Sequence, residues 1–144
     1  MAQQDNKIDL GFDLRTFSGN YGFSIIYGPR RYAGIGIAIS DGRGNFRAIQ
    51  KLNIGTGQML EQNIVGTYEV NPDGTGVARI KATLPDGQVV DGTFDYVVLQ
   101  AVKRGNYKLG VELQGIDRQP AVNFATGQPL EPPQIGVSWF KSLP

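Results

Sequence analysis

The chain reads as an all-β protein, a single antiparallel β-barrel of about eight strands in meander order. Three observations predict this fold. Apolar and polar residues alternate with period two along most of the chain. Asp-Gly, Gly-Asn and Pro-Asp-Gly turns break the alternation at short intervals. No run of about ten residues carries the 3.6-residue period of an amphipathic helix. The clearest stretch is Gly66-Thr67-Tyr68-Glu69-Val70-Asn71-Pro72-Asp73-Gly74-Thr75-Gly76-Val77-Ala78-Arg79-Ile80, which spells strand, tight turn, strand.

Residues 1–18 are polar and then mixed, and read as an N-terminal arm that packs Phe12 and Phe17 against the body. The barrel domain is read over residues 19–144. Its first strand places Tyr21, Phe23, Ile25 and Tyr27 on one face, and Gly28-Pro29 ends it. The second carries Ile35, Ile37 and Ile39 opposite Gly34, Gly36 and Ala38. After the Asp41-Gly42-Arg43-Gly44 turn, the third sets Phe46, Ala48, Gln50 and Leu52 against Arg47, Ile49 and Lys51. Residues 58–70 hold the fourth strand, and 77–84 the fifth, with Ala78, Ile80, Ala82 and Leu84 on one face. Pro85-Asp86-Gly87 is a turn with a mechanism, because proline fixes φ and glycine supplies a positive φ. A long strand over 88–102 follows, apolar on both faces. Tyr107, Leu109, Val111 and Leu113 point inward from the next, residues 115–134 are irregular, and Ile135–Phe140 closes the barrel.

Composition excludes more chemistry than it suggests. The 144 residues include no cysteine and no histidine, which removes disulfides, thiolate sites and the commonest proton shuttle near neutral pH. Fourteen Lys and Arg against 13 Asp and Glu give a formal charge of +1, scattered in both signs, so no basic stripe awaits nucleic acid. No segment approaches the apolar length of a membrane span, and the polar start lacks a signal core, so cytoplasmic is the default reading. Asp41–Gly44 and Asn71–Gly76 look faintly like calcium loops, but Pro72 and the flanking strands favour plain hairpins, and no metal site is expected. Gly34-Ile35-Gly36 and Gly55-Thr56-Gly57 precede no helix that would present amides to a phosphate. No cofactor is expected.

The segments Gly19-Asn20-Tyr21-Gly22-Phe23, Ser40-Asp41-Gly42-Arg43-Gly44-Asn45-Phe46 and Gly66 to Gly76 together resemble a set of small bacterial proteins of unassigned role. Members of that set usually carry an export signal, so the resemblance implies an exported form as the alternative location. The overall layout also resembles the calycin-type barrels, in particular the allene oxide cyclase-like group. That likeness implies a barrel fold and, for some members, cofactor-free cyclases or isomerases acting on apolar, natural-product-like substrates.

The tyrosines carry the candidate site. Tyr21, Tyr27, Tyr68, Tyr96 and Tyr107 lie on the apolar faces of their strands, joined by Gln50 and Gln100. A lumen lined this way is an apolar cavity with a few convergent polar groups, which suits a small apolar molecule. In the resulting expectation Tyr68 and Tyr96 polarise a carbonyl, Phe23 and Trp139 pack against the ligand, and orientation supplies much of the rate. The alternative is a non-catalytic carrier, or a structural barrel with a filled core. Asp95, between Phe94 and Tyr96, is expected to be partly desolvated with a raised pKa. The outward Val97–Ala101 face is expected to be covered by residues 115–134 or by a second copy of the chain in a homo-oligomer.

Overall fold

A computed structural model describes residues 8–29, 32–55, 57–122 and 128–144. Eight strands run in chain order: β1 (Ser18–Gly28), β2 (Tyr32–Asp41), β3 (Asn45–Asn53), β4 (Met59–Val70), β5 (Thr75–Thr83), β6 (Val89–Arg104), β7 (Tyr107–Asp117) and β8 (Ile135–Ser142). Each pairs antiparallel with the next, and β8 pairs back onto β1, so the sheet has no free edge. Among the described residues the strands are accompanied by one short 3₁₀ turn, Leu14–Thr16. Among the described residues no helix is long and apolar enough to cross a membrane.

Strand parity decides what enters the barrel. On β3 the alternation is strict, with Phe46, Ala48, Gln50 and Leu52 buried and the residues between them exposed. On β2 the small residues face inward and the isoleucines face out: Ala38 is fully buried, whereas Ile37 is 54% exposed. The glycines on the inner face have a packing role. Gly36, Gly66 and Gly76 are the direct cross-strand partners of Phe23, Phe46 and Tyr96. A Cβ at any of these three positions would run into the partner ring. Each ring therefore lies flat over the gap that its neighbour leaves.

The two ends of the barrel differ. At one end the N-terminal arm folds in as a plug. Leu10 N and Phe12 N donate to the Pro72 carbonyl at 2.9 and 3.3 Å, and Asp13 caps the 3₁₀ turn by accepting from Arg15 N at 2.9 Å. Phe17 then drops into the barrel. Its ring centroid lies 4.7 Å from Tyr21, 5.1 Å from Tyr68, 5.9 Å from Phe46, 6.2 Å from Phe140 and 6.5 Å from Tyr96. The opposite end, where β1–β2, β3–β4, β5–β6 and β7–β8 are joined, is the mouth. There the described part of the β7–β8 connection is tied to β6 by Arg118 N donating to Thr93 O at 2.9 Å, and to itself by Ala121 N donating to Gln134 O at 2.8 Å.

Because one ring anchors five others, Phe17→Ala should lower the unfolding free energy by about 3–5 kcal/mol, as for other buried aromatic truncations. Urea denaturation measures this. A loss below about 1 kcal/mol, the typical size for an average substitution, would mean that the plug does not hold the end of the barrel.

Candidate functional site

The half of the barrel beyond the plug is open. A cavity of about 770 Å³ occupies the lumen toward the mouth, within the size range of small-molecule sites. Its floor is aromatic: Phe140 stacks on Phe94 at 6.0 Å between centroids and meets Phe23 at 5.1 Å. Ala38, Ala48 and Ala82 line it too, and their short side chains leave the space that larger residues would fill. Pro120, Ala121, Val122, Pro129 and Leu130 of the β7–β8 connection line its upper wall.

Two polar groups stand out in this apolar lining. The first is an amide pair on β3 and β4. Gln50 and Gln62 are register partners, only 4% and 6% exposed, and Gln50 Nε2 donates to Gln62 Oε1 at 2.8 Å. Both line the cavity, and neither makes a second side-chain hydrogen bond among the described residues. The amide oxygen of one and the spare amide hydrogens of both therefore remain for a ligand.

The second group is Asp117, at the end of β7. It lines the cavity beside Tyr27 of β1, although β8 runs between their two strands. The residue between them is Gly136, the register partner of Tyr27. A Cβ there would overlap Asp117 Oδ2 and stand 2.8 Å from Tyr27 Cε1. The missing side chain thus lets a carboxyl and a phenol share one spot on the wall. Burial pushes the Asp117 carboxyl up to about 7. Burial, with the nearby Asp117 charge adding to it, raises the Tyr27 phenol well above its ordinary range, so Tyr27 stays a hydrogen-bond donor. Tyr32, the register partner of Tyr27 on β2, also lines the cavity. No group of three or more potential metal ligands occurs among the described residues.

Of the residues singled out in the sequence, Phe23, Tyr27 and Gln50 face the cavity. The structure places the others away from the cavity. Tyr68 and Tyr96, expected to polarise a carbonyl, belong to the plugged half. Tyr68 Oη donates to the Leu14 and Phe17 carbonyls at 2.8 Å each, and Tyr96 Oη to the Glu69 carbonyl at 2.5 Å. Tyr21 is fully buried, with its hydroxyl 2.6 Å from the Gly110 carbonyl. These phenols are committed to backbone. Tyr107 sits under the Arg15 guanidinium at 5.2 Å, outside the cavity. Gln100 is exposed at a register shift between β6 and β7, and Trp139 faces out from β8. Asp95 also faces out. Arg118 grips it with two hydrogen bonds of 2.6 and 2.9 Å, which hold its carboxyl below the usual range rather than above it. The described part of the β7–β8 connection lines the mouth, and among the described residues Val97 and Leu99 on the outer face of β6 are 38% and 49% exposed.

Asp117, Tyr32 and Gln62 escaped the sequence reading. Asp117 had a signal: it continues the inward parity of Leu113 and Gly115 past the point where β7 seemed to end. Fold and site together define an eight-stranded meander barrel, filled at one end and hollow at the other, with a half-buried carboxyl on its wall. No family model, curated protein or solved structure matches the chain, so the site's own residues carry its interpretation.

The raised Asp117 pKa makes stability depend on pH. In the unfolded chain the group ionises near 3.8, and in the barrel near 7. The folded state therefore keeps its full stability below about pH 4 and loses part of it as pH rises to about 7. Asp117→Asn, which cannot ionise, should be more stable than the parent by about 2–4 kcal/mol at pH 8, because each tenfold change in acidity between the folded and unfolded chain is worth about 1.4 kcal/mol. The difference should vanish below pH 4. Denaturant titrations at the two pH values measure it, and equal stabilities at pH 8 would contradict the burial of this carboxyl.

Proposed function

We propose that the barrel binds a small apolar molecule in its open half and acts on it as a cofactor-independent isomerase or cyclase. The observation that carries this reading is the hollow lumen. A barrel that served only as a scaffold would close at native packing density, and eight strands are narrow enough for side chains to do so. Here alanines stand where larger residues would fill the space, and the wall they leave is apolar. Each 100 Å² of ligand surface hidden against such a wall contributes about 2.5 kcal/mol before the costs of binding. The amide pair and Asp117 give the ligand fixed points of attachment, so a flexible substrate would be held in one conformer. Asp117 also favours an enzyme over a carrier. An apolar cargo gains nothing from a half-buried carboxyl on the wall, whereas a carboxyl pushed toward neutrality is the usual equipment of proton-transfer chemistry. The likeness to cyclase barrels noted from the sequence agrees with this reading.

Titration with Nile red, an uncharged environment-sensitive dye, tests the lumen. Saturable binding of one dye per chain is expected. Ala48→Phe and Ala82→Phe, which grow into the cavity, should each weaken it at least tenfold while the folded circular dichroism spectrum persists. Equal binding by the parent and both filled variants would place the dye elsewhere and sink the proposal.

A further inference from the structure

Beyond binding, the geometry points to a specific reaction: Asp117 and Tyr27, meeting over Gly136, form an acid–base pair that transfers a proton at a carbon adjacent to a carbonyl in an apolar ligand. This rests on the reading of the lumen as the ligand site, and it narrows the substrate class to apolar, enolisable ketones and their conjugated relatives.

Three features converge on it. First, a carboxylate and a tyrosine ring meet at one point on the wall, and enolisation needs a base and a donor near each other because the acidic hydrogen and the carbonyl oxygen lie on neighbouring atoms. The glycine gap brings this about, since Asp117 Oδ2 and Tyr27 Cε1 border the same point in space. Second, the surroundings are apolar, which makes hydrogen bonds to a developing oxyanion stronger than they are in water. Third, the other groups near Asp117 leave its charge state to burial. Tyr27 faces it from β1, Phe94 is its register partner on β6, Gly136 of β8 lies between it and Tyr27, and Ser138 lines the lumen. Tyr32 and Asp91 are the other titratable groups of the lining, and Asp91 is exposed and paired with Lys81 at 2.9 Å. Arg118 is spent on Asp95 on the outer surface. Among the described residues no cation is paired with Asp117.

The step balances within the ligand and one side chain. Ionised Asp117 takes a proton from the carbon next to the carbonyl. The C–H bond breaks and an O–H bond forms at the Asp117 carboxyl. The C–H electron pair becomes the carbon–carbon double bond of an enolate, and the carbonyl π pair moves onto oxygen, where the Tyr27 hydroxyl donates a hydrogen bond. Asp117 then returns the proton. Delivery to the same carbon exchanges its hydrogen, and delivery to the far end of a conjugated system moves a double bond. The spare amide groups of Gln50 and Gln62, on strands opposite β7 and β8 in the ring, would hold a second polar group of the ligand.

The experiment uses the full chain with 2-decanone and cyclododecanone as probes in deuterated buffer. Displacement of Nile red reports occupancy, and mass spectrometry reports deuterium uptake beside the carbonyl. The expected result is displacement by both ketones, with uptake that rises with pH and levels off above about 7, the value to which burial raises Asp117. Asp117→Asn should lose at least about a hundredfold in exchange rate and Tyr27→Phe about tenfold or more, the usual scale for a general base and one oxyanion donor. Nile red displacement is measured for both variants, so that exchange is compared at equal ketone occupancy. Displacement with no uptake above the buffer background, or with uptake unchanged in Asp117→Asn, overturns the proton-transfer assignment and leaves the lumen reading standing. Absence of displacement overturns both.

Discussion

The barrel depends on a repeated steric arrangement, in which an inward aromatic ring lies over a glycine on the neighbouring strand. Phe23 over Gly36, Phe46 over Gly66, Tyr96 over Gly76 and Tyr27 over Gly136 are all direct register partners. A Cβ on any of these glycines would overlap or crowd the ring. Eight strands enclose a space that large side chains fill if they project toward the axis. Rings laid against the wall gain their packing from the sheet itself and leave the axis free. In the lower half the axis is taken by Phe17, which arrives from outside the sheet. In the upper half no described residue takes that place, and the lumen stays open.

The polar ends of the tyrosines follow this division. In the plugged half the phenols reach backbone carbonyls of the arm and of neighbouring strands. Tyr68 accordingly donates to Leu14 and Phe17, and Tyr21 to Thr16 and Gly110. A buried hydroxyl satisfied in this way locks the arm in place and is costly to remove. In the open half no arm enters, and Tyr27, Tyr32, Asp117 and the Gln50–Gln62 pair face the cavity. One residue type thus serves two purposes, and the arm decides which.

Much of the architecture was legible because alternation and turn chemistry are local. The eight strands, their order and the inward set of β1, β3 and β5 follow from a period of two and from glycine turns. The allocation of tyrosines to the two halves was not legible, since it depends on register and on where a non-adjacent arm inserts. Tyr68 and Tyr96 share the parity of true lumen residues and differ only in height along the barrel. The inward face of β2 was obscured for a related reason: hydrophobicity favours Ile35, Ile37 and Ile39, yet Gly34, Gly36 and Ala38 are the residues that fit beneath neighbouring rings. Asp95 misled because an apolar strand suggested desolvation, whereas parity between Phe94 and Tyr96 already turned it outward. Asp117 was hidden by the apparent end of β7 at Gln114. Its significance also required Gly136, which the sequence separates from it by a long connection and the sheet brings beside it.

The hollow half of the barrel holds one half-buried carboxyl, Asp117, beside the Tyr27 ring. The most direct measurement is the titration of the Asp117 side-chain carbonyl carbon by ¹³C NMR in the ligand-free protein. A single transition centred near pH 7 is expected, and the Tyr27 ring resonances should shift through the same midpoint. A transition near pH 4, the range of a solvated aspartate, would place the carboxyl in water and contradict the account.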